Sequence, residues 1–141
     1  QSIRFKASQV RDMGRTATGV KGMDIDSTDS VIGLGIISPS MKNPTVLIMS
    51  GNGYGKRTPI DEYKVQNRGG SGIKTANVTA KTGQVMVASL VKEETELIAM
   101  SKKGQVIRTE LSSVPVLGRS TQGVRVMKLR EGDTIASVSL L

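Results

Sequence analysis

The chain has 141 residues and a mass of 15.0 kDa, which is enough for one domain or a few small repeated units but short for two independent domains. Its 20 Lys and Arg residues against 12 Asp and Glu give a net charge of +8, which favours polyanionic partners such as nucleic acid. The absence of His and Cys excludes thiolate nucleophiles, disulfides, Cys/His zinc sites and proton transfer by histidine. No apolar run is long enough for a membrane span, so we expect a soluble chain without a membrane partner, and the absence of Cys favours a cytoplasmic location.

Short runs rich in Val, Ile and Thr, separated by turn residues and sixteen glycines, predict an all-β fold. The predicted strands are, in chain order, Ser2–Phe5, Val20–Ile25, Val31–Ile37, Thr45–Ser50, Gly55–Thr58, Ile73–Val78, Val85–Val91, Glu96–Ser101, Val106–Thr109, Val124–Leu129 and Thr134–Leu141. One helical turn is predicted after Thr58, because Thr58 would act as the N-cap, Pro59 follows at the first helical position and two acidic residues stand in the first turn. The segments Phe5–Val10 and Thr109–Val114 resemble this one in sequence but lack the proline, so we expect their helical turns to be less regular.

The sequence repeats three times. Three basic positions recur at an offset of 51 residues between the second and third copies and 53 between the first and second: Arg4, Arg57 and Arg108; Arg15, Arg68 and Arg119; Lys21, Lys74 and Arg125. We therefore predict a single domain of repeats at about 1–37, 45–91 and 96–141, which we call copies 1, 2 and 3, with copy 1 lacking its opening strand. About four short strands per copy are typical of a propeller-like blade.

These nine recurrent cations predict a basic stripe. Equivalent positions in stacked copies lie along one edge of the array, and such a stripe suits a long polyanion. The alternative is that each cation pairs with an acidic residue of a neighbouring copy. The acidic residues favour the stripe, because they cluster in 24–29 and 93–96, at positions that do not correspond between copies.

Two glycine-rich segments carry further candidate phosphate contacts. In 66–72, glycines permit positive φ and close approach of backbone N–H groups to a phosphate, with basic residues on either side; a flexible turn between copies is the alternative. The segment 51–57 is first a hairpin signal, to which Lys56 and Arg57 add charge. Because so few aromatic residues are present to stack bases, the sequence favours a duplex held by its backbone over single-stranded nucleic acid.

Several stretches resemble the family of the C-terminal DNA-wrapping domain of DNA gyrase A. They are Ile3–Lys6, Thr18–Gly22, Asn52–Thr58 and Val116–Val124. The resemblance covers essentially the whole chain and implies a β-pinwheel, a propeller-like array of four-stranded blades that exchange strands. This sequence resembles the C-terminal half of such an array, a partial ring of about two and a half to three blades.

The resemblance implies that duplex DNA bends around a basic outer rim, which lets the parent ATP-dependent type II topoisomerase, an isomerase, introduce negative supercoils. It implies no catalytic residue, metal or cofactor in this chain, since ATP and magnesium act elsewhere in the parent complex. The implied partners are duplex DNA, the remainder of gyrase A and the ATPase subunit, with a location in the cytoplasm at the nucleoid.

The family's gyrase box is matched in part by 66–72, where Asn67 and Ser71 replace two basic positions. Together, the stripe, the two glycine-rich segments and this match give the residues that we expect at the DNA: Arg4, Arg15, Lys21, Lys56, Arg57, Gln66, Arg68, Gly69, Gly70, Gly72, Lys74, Arg108, Arg119 and Arg125.

Three other functions stay open. The corresponding domain of topoisomerase IV carries a similar but more degenerate array. A propeller-type protein-interaction scaffold would use its charge for solubility or for an acidic protein partner. A small-molecule hydrolase is disfavoured by the missing His and Cys, although carboxylates could act. Because an incomplete ring leaves unpaired strand edges, we also expect self-association.

Overall fold

Seven antiparallel strands in two sheets dominate the computed structural model, which describes residues 1–141. They are β1 Thr45–Ser50, β2 Tyr54–Pro59, β3 Val85–Val91, β4 Glu96–Ser101, β5 Val106–Glu110, β6 Val124–Arg125 and β7 Ile135–Leu140. The first sheet has the order β3-β1-β2-β6 and the second the order β5-β4-β7. The predicted all-β fold is confirmed. The helices are three single 3-10 turns, and none has the length and apolar composition of a membrane span.

Copies 2 and 3 share one core. Leu47 and Met49 of β1 and Leu97 and Ala99 of β4 point into this core and are fully buried. The cluster is formed by Leu47, Met49, Val91, Leu97, Ala99, Leu111, Val114, Met127 and Ile135. Burial of each large side chain in this cluster contributes roughly 1.5–3 kcal/mol. Copy 1 adds no residue to this cluster. It is held by contacts along its boundary with copy 2, and we call such a boundary between neighbouring copies a seam.

The strand predictions are wrong mainly in copy 1. Val31–Ile37 forms no ladder, although its counterparts β3 and β7 pair along their length with β1 and β4. No strand equivalent to β1 lies within residues 1–44, so the segment has no antiparallel partner in this structure. Its apolar side chains stay in solvent: Leu34 is 90% exposed and Ile36 77%.

The other differences lie at the seams between copies. Val20–Ile25 forms no strand, and Ser2–Phe5 and Ile73–Val78 are reduced to isolated bridges, in which Ser2 pairs with Ile73 and Arg4 with Val65. Of the predicted Val124–Leu129, only the first two residues form β6. Pairing between copies is limited to two residues at β6 and to single residues at the isolated bridges, so no longer ladder forms there.

The predicted helical turn after Thr58 is present as Ile60–Glu62, but Thr58 does not cap it. Its hydroxyl donates instead to the Leu117 carbonyl at 2.8 Å, and Pro59 occupies the N-cap position. Equivalent three-residue turns form at Ala7–Gln9 and Leu111–Ser113 without a proline, so the expected irregularity is also wrong. The turns of copies 2 and 3 accept hydrogen bonds from arginines of the preceding copy, and these contacts form part of each seam.

Strand exchange joins each copy to the next. β6 of copy 3 pairs with β2 of copy 2 through Gly55 and Val124, and the bridge from Ser2 to Ile73 repeats this between copies 1 and 2. Before each exchanged segment stands a glycine with positive φ, Gly72 at +79° and Gly123 at +82°. A Cβ there would stand 2.2 Å from the Ser2 carbonyl oxygen and 2.5 Å from that of Gly55. Only glycine allows the copies to approach this closely.

Candidate nucleic-acid interface

The recurrent cations form three series: the first is Arg4, Arg57 and Arg108, the second is Arg15, Arg68 and Arg119, and the third is Lys21, Lys74 and Arg125. In copies 1 and 2, the member of the first series holds the following copy in place. The Arg4 guanidinium donates to the backbone carbonyls of Ile60 and Tyr63, both at 3.1 Å, at the 3-10 turn of copy 2. Arg57 donates in the same way to the Val114 carbonyl of copy 3 at 2.9 Å. Both side chains are half-buried. Arg4 and Arg57 therefore bind neighbouring backbone, which is neither of the partners considered from sequence.

Arg108, the third member of this series, has no following copy in this chain. Its guanidinium forms an ion pair with Glu96, with Nε 2.9 Å from Oε2. The two strands carrying them are paired in β5 and β4. Arg108 is exposed, so its pairing with an acid of its own copy is of the weak surface type.

The second recurrent cation reaches back to the preceding copy. Arg119 donates through Nη1 to the Lys74 carbonyl at 2.6 Å, and Arg68 donates to the Lys21 carbonyl in the same way. Their backbone N–H groups also correspond, because that of Arg68 donates to Gln9 Oε1 at 2.7 Å and that of Arg119 to Glu62 Oε2 at 2.9 Å. Arg15, the copy 1 member, is exposed and has no such contact.

The glycine-rich segment 66–72 is a turn of this seam. Gly69 has φ +86° and its N–H donates to the Gly22 carbonyl at 2.8 Å, so that donor is already used within the protein. Gln66 donates its backbone N–H to the Arg4 carbonyl at 2.7 Å, and its buried Oε1 has no partner. Gly70 is exposed. The geometry favours the turn between copies that the sequence left open, and a phosphate contact at Gly69, Gly70 or Gly72 stays a prediction.

Lys56 does not lie on the surface. It is 1% exposed, and its Nζ donates to the carbonyls of Gly118 and Arg119 at 2.7 and 2.5 Å and to the Thr121 hydroxyl at 3.3 Å. Burial lowers the pKa of Lys56 to about 8; the Glu62 carboxylate acts against this shift and the Arg119 guanidinium adds to it. Placing Lys56 at the DNA is therefore wrong for this structure, because its ammonium is enclosed by backbone carbonyls.

The third recurrent cation is the one that faces solvent in every copy. Lys21, Lys74 and Arg125 are all exposed. Lys21 forms an ion pair with Asp24, and Lys74 donates to Asn77 Oδ1 at 3.1 Å. The carbonyls of Lys21 and Lys74 are the ones held by Arg68 and Arg119, so the second series positions the backbone from which the third series extends.

A cationic cleft of about 360 Å³ lies around Tyr54 at the seam between copies 2 and 3. Arg125 lines it together with three basic residues outside the recurrent series, Lys81, Lys128 and Arg130. Arg125 Nη2 donates to the Tyr54 hydroxyl at 3.1 Å. The search for recurrent cations missed these three residues, because they are not basic in the other copies. The sequence signal that could have found two of them is the spacing of Lys128 and Arg130, which are separated by one residue.

The comparisons with known proteins agree with this architecture. A family model described as "DNA gyrase C-terminal domain, beta-propeller" matches residues 1–38, 44–92 and 95–141. The A subunit of DNA gyrase from Staphylococcus epidermidis is 42% identical over 137 residues, and that from Staphylococcus aureus is 40% identical over the same length. Each of these alignments covers 97% of this chain and 15% of the relative, so the chain spans a small part of the curated relatives that it matches.

Two solved structures share the fold. A DNA gyrase A C-terminal domain is similar with a TM-score of 0.81 and 32% identity, over 96% of this chain and 45% of that one. The C-terminal domain of a DNA topoisomerase IV is similar with a TM-score of 0.74 and 28% identity, over 85% of this chain and 36% of that one. The family resemblance carried by the sequence motifs is confirmed.

Proposed function

The chain belongs to the DNA gyrase C-terminal domain family, and from that premise we propose that it binds duplex DNA and bends it around a basic rim. The observation that carries the proposal is the third cation series, which is exposed in three consecutive copies. The side chains of this series point outward, whereas those of Arg4, Arg57 and Lys56 donate hydrogen bonds to backbone carbonyls of the protein itself.

The proposed mechanism is geometric. Arg68 and Arg119 fix the backbone of Lys21 and Lys74, so the cations of successive copies have a defined spacing before DNA arrives. Bending a duplex of 20–30 base pairs by 40–90° costs about 1–6 kcal/mol, and each phosphate neutralised along the rim releases counterions that offset this cost. Each further copy would add contacts at a similar interval.

Salt dependence tests the proposal. Six exposed cations of the recurrent series and the cleft form no ion pair: Arg15, Lys74, Lys81, Arg125, Lys128 and Arg130. If all six contact phosphates, log K against log salt for a duplex of about 30 base pairs has a slope of roughly −5. A slope no steeper than about −2 would contradict a multi-copy contact surface.

A charge-matched comparison identifies the surface. Replacing Lys21, Lys74 and Arg125 together by Gln should make the slope less steep by about 2, because two of the six phosphate contacts, those of Lys74 and Arg125, are lost. Replacing the exposed Lys42, Lys92 and Lys102 by Gln removes the same charge from positions outside the recurrent series. Equal effects of the two triple variants would mean that only net charge matters and that the third series is not the contact surface.

At the level of the parent protein, we propose that this chain wraps DNA for an ATP-dependent type II topoisomerase that introduces negative supercoils. The chain would perform no bond-making step and hold no cofactor; ATP and magnesium would act in the rest of the complex, formed by the remainder of gyrase A and the ATPase subunit. It would act in the cytoplasm at the nucleoid. The higher TM-score and identity to the solved gyrase A domain than to the solved topoisomerase IV domain favour gyrase over topoisomerase IV.

A protein-interaction scaffold is the second candidate. It is favoured by the exposed apolar side chains of Val31, Ile32, Leu34 and Ile36, which stand close together in the chain. In that case binding would depend on Leu34 and Ile36 and would tolerate loss of Lys21, Lys74 and Arg125. A second copy of this chain is the partner that we expect at this segment, because a stretch of backbone without pairing partners can pair with another chain.

A further inference from the structure

We propose that the cleft beside Tyr54 is a dedicated site for phosphodiester groups of the DNA backbone, so that the seam between copies 2 and 3 grips the duplex more strongly than the seam between copies 1 and 2. This inference rests on the proposed function and identifies where along the array the contact is concentrated. It combines residues of two copies, since Tyr54 and Lys81 belong to copy 2 and the other cations to copy 3.

The cleft holds more positive charge than the protein neutralises. Four exposed basic side chains line it, and neither ion pair of the structure involves them. The one carboxylate of the lining, Asp133, is buried and turned to other partners: it accepts from the Ser101 hydroxyl at 2.5 Å and from the Lys103 N–H at 3.0 Å. Four like charges around one cleft repel one another until an anion enters.

Tyr54 positions two of these cations. The side chain is 6% exposed, and its hydroxyl accepts a hydrogen bond from Arg125. Lys81 Nζ and Arg125 Cζ lie 5.5 and 5.6 Å from the ring centroid, within the range of cation–π attraction. The ring therefore holds an ammonium and a guanidinium at the mouth of the cleft before any ligand arrives, which lowers the entropic cost of binding a phosphate.

The equivalent segments of the other copies show that the charge is specific to this seam. Arg125, Lys128 and Arg130 of copy 3 correspond to Lys74, Asn77 and Thr79 in copy 2 and to Lys21, Asp24 and Asp26 in copy 1. The first two positions of each set differ in charge. In copy 1 they form the ion pair between Lys21 and Asp24, and in copy 2 Lys74 donates to the neutral amide of Asn77. In copy 3 both positions, Arg125 and Lys128, are positively charged. The side chains at these positions therefore neutralise one another in copy 1, whereas all three are positively charged in copy 3.

The test transplants the copy 2 residues into copy 3 of the full chain. Lys128→Asn with Arg130→Thr removes two charges using side chains that the equivalent backbone already carries, and Lys42→Asn with Lys92→Thr is the charge-matched control. We expect the cleft variant to reduce the steepness of the salt slope for duplex binding by about 2 and the control to leave it unchanged. Unfolding curves recorded by circular dichroism serve to check that both variants are folded.

The outcomes separate the two proposals. If the unsubstituted chain binds duplex DNA with a steep salt slope and the cleft variant behaves like the control, the cleft proposal is wrong and DNA binding stands. If the unsubstituted chain binds no duplex, both fail. Titration with inorganic pyrophosphate, followed by the backbone amide signals of residues 128 and 130, checks the source of the phosphate: large shifts there without any effect of the variant on duplex binding would assign the cleft to a small phosphate ligand and overturn DNA as its occupant.

Discussion

The buried ammonium of Lys56 makes the stability of this protein depend on pH in an unusual direction. Its pKa is about 8 in the folded chain, against an ordinary value of 10.5, because burial disfavours the charged form. Between these values the unfolded chain keeps the proton that the folded chain has released. The free energy of unfolding therefore rises as pH increases through this window, since the unfolded state binds more protons.

The size of the effect follows from the shift. A difference of one pKa unit corresponds to 1.36 kcal/mol, so the full rise is about 3 kcal/mol, of which about 2 to 3 kcal/mol is reached by pH 10. Tyr63 acts in the opposite direction, because burial raises the pKa of its phenol and the unfolded chain loses that proton first. The contribution of Tyr63 begins near pH 10, so the useful window is pH 8 to 10.

Urea unfolding at intervals between pH 7 and pH 10 measures this rise directly. Lys56→Met removes the titrating group while keeping an unbranched side chain of similar length, and it should flatten the curve. Lys64→Met, at an exposed lysine, is the control and should keep the rise. A stability that stays constant or falls from pH 8 to 10 in the unsubstituted chain, or a rise that survives in the Lys56→Met variant, would refute the buried-ammonium account.

Three further predictions concern the seams and the unpaired segment 31–37. Gly123→Ala should destabilise the chain by at least about 2 kcal/mol more than Gly104→Ala in urea unfolding, because both glycines have positive φ but only Gly123 faces a carbonyl at 2.5 Å; equal costs would contradict the close-approach argument. Arg57→Gln should cost about 1.5–3 kcal/mol through the lost charged hydrogen bond to the Val114 carbonyl of copy 3, whereas Arg108→Gln should cost less than about 1 kcal/mol; a larger loss at Arg108 would reverse the assignment of these roles. Light scattering at tens of micromolar should show self-association that Leu34→Lys with Ile36→Lys abolishes, and a monomer mass for the unsubstituted chain would refute it.

The repeat explains how much of the fold was predictable from the sequence. In copies 2 and 3, the short runs rich in Val, Ile and Thr placed β1, β3, β4 and β5 correctly to within about one residue. In copy 1 a run of the same kind at Val31–Ile37 predicted a strand that does not form. Such a run reports which residues favour a strand, but a strand also needs a partner for its backbone, and residues 1–44 supply none.

The candidate site was less predictable, because sequence does not report where a cation points. Lys56 and Lys74 are both basic residues beside glycine-rich segments, yet one is enclosed by carbonyls and the other is exposed. The difference arises from the seam, which buries the central strand β2 and leaves the exchanged segment outside. The cleft residues escaped prediction for a related reason, since strand exchange brings Lys81 near Lys128 from different copies.

The most direct test of the central claim is the linking number of DNA closed around this protein. A nicked circular plasmid is ligated in the presence of increasing amounts of the chain, and its topoisomers are separated after the protein is removed. If the chain bends the duplex with a defined hand, the linking number shifts in one direction, more with added protein and less with added salt. Binding that leaves the topoisomer distribution unchanged at saturating protein would contradict wrapping by this chain.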